Sequence, residues 1–148
     1  MNWHIQKQKI GGTEYTKLYK GDVLVMSDFD EEKETHQIAR DFTGRVLVGG
    51  LGLGYVLSIM DKATHIDVVE QSQDVIDLVW KHLDLDDRFK LHHDDIFNWK
   101  PDGYDFVYLD VWDLPNKTGY EMMLKLKEIF PKSICWKEKE MICRYKKH

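Results

Sequence analysis

The chain has 148 residues, of which 43% are apolar and 32% are charged, so it is long enough for one domain with a proper core and too short for two. The formal net charge of −5 argues against extended contacts with nucleic-acid phosphates, which need clustered Lys and Arg. No apolar run approaches the length of a bilayer span, no basic and then apolar leader opens the chain, and Cys135 and Cys143 lack a metal or redox spacing. We therefore expect a cytoplasmic protein with reduced thiols that binds neither membranes nor nucleic acids.

The first 28 residues alternate apolar and polar positions and are divided by glycines. They predict an antiparallel meander of three strands: Trp3 to Ile10, Thr13 to Tyr19 and Val23 to Ser27. Because so small a sheet cannot bury its own apolar face, we expect a homodimer formed through it. A short helix from Thr35 to Phe42 follows an acidic run, which suits a helix N-terminus.

Residues 35–148 alternate strand and helix patterns, and with the meander of residues 1–28 they form a single domain, 1–148. The predicted elements are Arg45 to Val48, Gly52 to Asp61, His65 to Glu70, Ser72 to Leu83, Phe89 to His93, Phe106 to Val111, Thr118 to Phe130 and Ser133 to Trp136. This alternation predicts an α/β fold: a Rossmann-like, doubly wound, mostly parallel sheet with helices on both faces. Lys137 to Lys147, interrupted by Glu138 and Glu140, favours a solvated edge strand or hairpin over a nucleic-acid arm.

The run VLVGGLGLG at residues 46–54 is the most informative feature of the sequence. An apolar, β-branched strand leads into glycines, and a helical pattern resumes at Tyr55. The glycines of the run are Gly49, Gly50, Gly52 and Gly54. Glycine permits positive φ and close approach to a ligand, and a helix opening at about Gly52 would direct free N–H groups at that ligand.

The spacing of these glycines excludes a dinucleotide fingerprint. That motif needs G-x-G-x-x-G, and its third glycine would fall at Tyr55 or at Leu57. The run G-x-G-x-G instead resembles the first motif of class I S-adenosylmethionine (SAM) methyltransferases, which implies SAM lying over the turn. The other interpretation is a glycine-rich connection that only packs helix on sheet.

The strand from His65 to Glu70 ends in an acid about 20 residues beyond the glycines, where a carboxylate can accept both ribose hydroxyls. We assign Glu70 to the ribose and its neighbour Gln71 to the same cofactor site. The alternative for Glu70 is a solvated acid at a strand end.

Acids also follow the next two strands, since Asp94 and Asp95 come after His93 and Asp110 comes after Leu109. Ligands of open α/β sheets gather at the carboxyl ends of strands, so these acids are predicted to meet Glu70 at one crevice. Asp95 would accept from the adenine amino group with Ile96 against the ring, and Asp94 is the rival for that role.

The run His92, His93, Asp94, Asp95 also suggests a metal site. Adjacent residues on a strand point to opposite faces and cannot easily chelate one ion, so we predict no metal.

Over nearly its whole length the chain resembles the spermidine synthase-like branch of SAM-dependent transferases. The segments that carry the resemblance are Leu24 to His36, Val48 to Gly54, Val68 to Glu70 and Tyr104 to Pro115. The most specific part is Asp110-Val111-Trp112-Asp113-Leu114-Pro115, which is similar to the family's D-x-x-D-P element with one residue inserted before the proline. The resemblance implies that Asp110 helps deprotonate an attacking amine, that Asp113 helps bind it, and that His36 is the family's helix-borne histidine at the substrate site.

Two departures from that family bear on the substrate. Its aminopropyltransferases carry an aspartate inside the glycine loop that holds the aminopropyl ammonium, and this chain has Gly52 there. The segment between Met26 and His36 is also shortened, and the chain stops soon after its fifth predicted parallel strand. The resemblance therefore implies ordinary SAM, because a sulfonium methyl needs no such clamp.

The leading hypothesis is a small SAM-dependent methyltransferase with a small-molecule acceptor, an amine among the candidates. Asp110 would accept a proton from the nucleophile, and Trp112 would wall the acceptor side unless it is only a core residue. Three alternatives stay open: aminopropyl transfer to a polyamine, a SAM-fold binding or assembly module without turnover, and another use of SAM such as its cleavage.

Overall fold

The computed structural model describes residues 2–112 and 114–146, with the side chains of residues 30–32 left aside. Its N-terminal part is an antiparallel meander of β1 (Trp3–Ile10), β2 (Thr13–Lys20) and β3 (Val23–Ser27). The three predicted N-terminal strands are confirmed. A bulge interrupts the pairing of β2 with β3, where Leu18 lies opposite Met26 and Tyr19 lies opposite Leu24.

A second sheet of five parallel strands follows, in the order β6-β5-β4-β7-β8. Its strands are β4 (Gly44–Gly49), β5 (Ala63–Glu70), β6 (Phe89–His93), β7 (Phe106–Leu109) and β8 (Ile134–Cys135). The chain first builds outward on one side of β4 and then on the other, so the order reverses between β4 and β7. The predicted Rossmann-like fold is confirmed, and ligands of such sheets bind beyond the strands' carboxyl ends at this reversal.

The described helices are α1 (Asp30–Thr35), α2 (Tyr55–Ser58), α3 (Gln73–Val79), α4 (Lys117–Ile129) and α5 (Glu138–Tyr145), with 3-10 turns at Gln37–Asp41, Trp80–His82 and Ile96–Asn98. None of the helices within residues 2–112 and 114–146 is long and apolar enough to cross a membrane.

Two predicted helices are shorter than their sequence patterns indicated. The one expected from Gly52 begins only at Tyr55, because Gly52 and Gly54 take left-handed φ values of 52° and 81° that no α-helix accommodates. The one expected from Thr35 to Phe42 is instead a 3-10 turn that follows α1, and His36 between the two points its ring into the core.

The core lies around β4, whose Val46, Leu47 and Val48 are fully buried, as expected of a strand covered on both faces. The small sheet packs against this core through Trp3 and Ile5, and its Leu18 is fully buried. Part of its apolar face is therefore buried within the same chain. Ile10, Val23 and Leu24 of the same sheet stay exposed, and the homodimer stays a prediction.

The edge strand or hairpin predicted for Lys137 to Lys147 is wrong, because the described part of this segment is the helix α5. Met141 is fully buried, and Ile142 and Tyr145 pack against the core at helical spacing. The ion pair of Glu138 with Lys127, at 2.8 Å, joins α5 to α4. Lys139 and Arg144 are exposed on this helix, and the many charged residues of the segment led us to overlook its apolar stripe.

We expect Met141→Ala to lower the free energy of unfolding by about 2–4 kcal/mol, because it leaves a cavity in the fully packed contact of α5. Urea unfolding measures this, with Lys139→Ala, an exposed position of the same helix, as the control within about 0.5 kcal/mol. Equal effects of the two substitutions would contradict the packing of α5 against the core.

Candidate functional site

A cavity of about 390 Å³ lies beyond the carboxyl ends of the parallel strands, between them and the small sheet. The loops, strand ends and helices of the α/β part line it with Gly50, Gly52, Val69, Glu70, Gln71, Ser72, Val75, Asp94, Asp95, Ile96, Phe97, Asp110, Val111, Trp112 and Met122. From the small sheet it is lined by Trp3, Leu18, Lys20, Val25 and Met26. Its volume lies within the range of small-molecule sites, at the place where the topology of the sheet predicts one.

Gly50 holds the floor of this cavity at the reversal point of the sheet. Its φ of 96° is left-handed, and an added Cβ would overlap the carbonyl oxygen of Asp110. Its N–H donates to the carbonyl of Val69 at 2.9 Å, while Asp110 N–H donates to the carbonyl of Gly49 at 2.8 Å. Only glycine lets β4, β5 and β7 approach this closely at their ends.

Four of the five backbone N–H groups of the glycine turn, residues 50–54, are engaged within the protein, although we expected them to be free for a ligand. Leu51 N–H donates to Glu70 Oε1 at 2.8 Å, and Gly54 N–H donates to the Leu51 carbonyl at 2.9 Å. Leu53 N–H points to Met26 Sδ at 3.2 Å, and a Cβ on Gly52 would overlap the same sulfur. With α2 only four residues long, the turn contributes little as an anion site.

Glu70 lies at the end of β5 and at the wall of the cavity, where its carboxylate also has a structural role. Besides the bond from Leu51, Oε2 accepts from Ser72 N–H at 2.9 Å. Each carboxylate oxygen has a second lone pair, so acceptance from ribose hydroxyls is compatible with both bonds. Gln71 next to it is exposed and lines the same cavity.

Both rivals for the adenine face the cavity. Asp94 is exposed, and its Oδ1 accepts from Asp95 N–H at 2.7 Å. Asp95 is half-buried, and its Oδ1 accepts from Phe97 N–H at 3.0 Å, which caps the 3-10 turn and places Ile96 in the core at 4% exposure. The cap fixes the Asp95 side chain beside Ile96, as the adenine assignment requires.

Asp110 lines the cavity and is backed by a buried pair behind it. His36 Nε2 lies 4.0 Å from Asp110 Oδ2, and His36 Nδ1 is hydrogen-bonded to the Tyr108 hydroxyl at 2.7 Å. Burial, and secondarily the positive charge of Lys137, lowers the pKa of His36 from about 6.5 to about 4. Burial first, and Asp110 second, raises the pKa of Tyr108, so the phenol stays protonated. A neutral His36 that accepts from Tyr108 presents its N–H toward Asp110.

His36, Gly49 and Gly54 are not among the cavity-lining residues. His36 acts on the site only through Asp110, and a Cβ on Gly49 would meet Leu109 and Ile96, so its smallness serves packing. Gly54 lies on the far side of the glycine turn, against Leu83.

Trp112 combines the two interpretations left open by the sequence, since it is 5% exposed and also lines the cavity. Its Nε1–H is buried and has no hydrogen-bond partner among the described residues. Asp113, assigned to amine binding, lies outside the described residues.

The histidines of the considered metal run have other partners. His92 Nε2–H donates to Asp67 at 2.8 Å, whereas His93 Nε2 contacts the carbonyl of Gln71 at 3.0 Å. No group of three or more His, Cys, Asp or Glu within residues 2–112 and 114–146 could hold a metal ion.

Sequence reasoning missed every lining residue of the small sheet, namely Trp3, Leu18, Lys20, Val25 and Met26, and it also missed Val69, Ser72, Val75, Phe97, Val111 and Met122. Alternation along β2 and β3 predicted strands but could not show which neighbour the inward face would meet. Val25 and Met26 both line the cavity although they are adjacent, because the bulge opposite Leu18 and Tyr19 breaks the alternation at this point.

The lining fits an adenosine-containing cofactor such as SAM. Acids stand at the carboxyl ends of β5, β6 and β7 for hydroxyl and amino donors. Apolar side chains, among them Ile96 and Phe97, complete a wall suited to a flat ring.

No protein-family model matches the sequence, and no curated protein matches it either. A dimethyladenosine transferase from Plasmodium falciparum has a similar structure, with a TM-score of 0.52 and 15% identity over 72% of this chain and 40% of that one. A second solved structure, named "putative methyltransferase", from Thermoplasma acidophilum has a TM-score of 0.43 and 21% identity over 84% of this chain and 53% of its own. The chain thus shares the Rossmann-like fold of the dimethyladenosine transferase, and it spans well under two thirds of either structure.

The buried His36 predicts a specific pH dependence of stability. Because its pKa is lowered on folding, the unfolded chain binds the proton first, and stability is lost as the pH falls from about 6.5 toward 4. Between pH 7 and pH 5 this amounts to about 2 kcal/mol in the free energy of unfolding.

We expect His36→Asn to remove this component, so that the stability of the variant falls less than that of the unaltered chain between the two pH values. Urea unfolding at pH 7 and pH 5 measures the difference, and His82→Asn, at an exposed histidine, is the control. Parallel pH profiles for the unaltered chain and the His36 variant would contradict a buried, neutral His36.

Proposed function

We propose that this chain binds SAM and transfers its methyl group to a small-molecule acceptor. The observation that carries the proposal is the meeting of acids from the ends of β5, β6 and β7 with the glycine turn around one cavity at the reversal point of the sheet. The likeness in fold to a dimethyladenosine transferase supports the same class of reaction. For the acceptor we propose only a chemical class, a small molecule.

The proposal gives a role to the main residues of the candidate site. Glu70 accepts from the ribose hydroxyls, and Asp95 with Ile96 frames the adenine. SAM, when bound, supplies an electrophilic methyl group, and the work of the protein is to hold it in line with the nucleophile. Asp110 accepts a proton from an amine or hydroxyl nucleophile, and neutral His36 behind it orients the carboxylate. Trp112 walls the acceptor side.

Aminopropyl transfer is the second candidate, favoured by the predominance of carboxylates in the lining, which suits a cationic polyamine. Position 52, where aminopropyltransferases carry the aspartate that holds the aminopropyl ammonium, is a glycine in this chain. A Cβ there would meet the sulfur of Met26 and no acid. We therefore rank it below methyl transfer. A third possibility is a module that binds the cofactor without turnover, which activity screening separates from the first two.

We expect the chain to bind SAM and S-adenosylhomocysteine, and Glu70→Ala to weaken both at least tenfold, because two charge-assisted hydrogen bonds to the ribose are lost. Titration calorimetry measures this. Asp74→Ala is the control, since Asp74 is an exposed acid at the start of α3 outside the cavity.

Glu70→Ala also frees the N–H groups of Leu51 and Ser72, so its unfolding free energy without ligand is measured beside its affinity. Affinities of the Glu70 and Asp74 variants that match each other would contradict the ribose assignment. Preference for decarboxylated SAM over SAM would favour aminopropyl transfer. No binding of any of these adenosine compounds would mean that the glycine turn only packs helix on sheet.

A further inference from the structure

The charges around the cavity are strongly unequal. Four carboxylates line it, Glu70, Asp94, Asp95 and Asp110, whereas Lys20 is the only Lys or Arg among the described lining residues. The acids suit the hydroxyl, amino and ammonium groups of an adenosine cofactor with an amino-acid tail. The carboxylate of such a tail is repelled by all four and needs a cation elsewhere.

Four of the five N–H groups of the glycine turn, residues 50–54, are already engaged and so offer little to a ligand carboxylate. The N–H groups of Gly50, Leu51, Leu53 and Gly54 are directed at acceptors within the protein. A Cβ on Gly52 would overlap the Sδ of Met26.

Lys20 is placed to take this role. It is the last residue of β2, half-buried, and its Nζ lies over the indole of Trp3 at 5.3 Å from the ring centre. No carboxylate among the described residues lies within ion-pair distance of it. The bulge at Leu18 and Tyr19 lies just before it, and such bulges re-aim side chains beside functional sites. A partly buried ammonium with no counterion among the described residues is suited to an anionic group of a ligand.

We propose that Lys20, on the small sheet, pairs with the carboxylate of the cofactor's amino-acid tail and so selects SAM over its decarboxylated form. This inference rests on the proposed function, since it concerns the same cavity. It makes the small sheet a part of the cofactor site, with Lys20 as its specificity-determining residue, whatever the acceptor is.

The test compares ligands that differ by the one group in question. SAM and decarboxylated SAM differ only in the carboxylate, and methylthioadenosine lacks the whole tail. Calorimetry gives the three dissociation constants for the unaltered chain, for Lys20→Gln and for Lys17→Gln. Lys17 is the matched control, because it lies on the same strand with its Nζ over an aromatic ring, that of Phe29 at 5.4 Å, but outside the cavity lining.

We expect the unaltered chain to bind SAM about tenfold or more tightly than decarboxylated SAM, and Lys20→Gln to reduce this ratio to near one. Methylthioadenosine should bind Lys20→Gln within about twofold of the unaltered chain, since it lacks the group that Lys20 contacts. Lys17→Gln should keep the full ratio, which separates a specific pair from a general change of charge.

Two results overturn the inference while leaving the proposed function in place. One is a SAM preference that survives Lys20→Gln, and the other is an equal loss of preference in Lys17→Gln. A chain that binds methylthioadenosine but does not prefer SAM over decarboxylated SAM also overturns it. If the unaltered chain binds none of the three compounds, the proposed function itself fails and the inference fails with it.

Discussion

The carboxylate of Glu70 is the interaction on which the site depends. It accepts backbone N–H groups from Leu51, in the glycine turn, and from Ser72, at the start of α3, and so joins the ends of β4 and β5. Charge-assisted bonds of this kind contribute about 1.5–3 kcal/mol each. Together with the close approach of Gly50 to Asp110 they give the turn a defined shape from groups within the protein alone.

This arrangement divides the chemistry of the cavity between its two walls. The parallel sheet provides carboxylates at successive strand ends, and its turn amides are occupied by Glu70, Met26 and the backbone. The small sheet provides apolar side chains and the cation Lys20. The second wall therefore lines the same cavity, and in our proposal Lys20 is the cation that lets a cavity rich in acids accept a zwitterionic tail. Behind the acid wall, His36 and Tyr108 form a buried hydrogen-bonded pair, and His36 Nε2 lies 4.0 Å from the Asp110 carboxylate.

Much of the fold could be predicted from local patterns. The runs around Val46 to Val48 and His65 to Glu70 are apolar over most of their length and bounded by glycine or acids, and they form the central strands of the sheet. The boundaries of helices were harder to predict than the strands. A glycine ends a helix when its φ is left-handed, as at Gly54, and the sequence alone does not give that φ. The C-terminal segment was misjudged because its many lysines outweighed the apolar spacing of Met141 and Tyr145.

The sequence by itself determined the parallel sheet, the glycine turn and the set of acids at the strand ends, because alternation, β-branching and glycine spacing act between neighbours along the chain. Only the tertiary structure decided which distant groups meet there. Lys20 and Met26 reach the cavity through the docking of a sheet whose inward face no local pattern identifies, and Tyr108 meets His36 across 72 positions of sequence. It also decided that the turn amides have partners within the protein, because a hydrogen bond between Leu53 and Met26 depends on how two sheets pack and not on the residues beside either one.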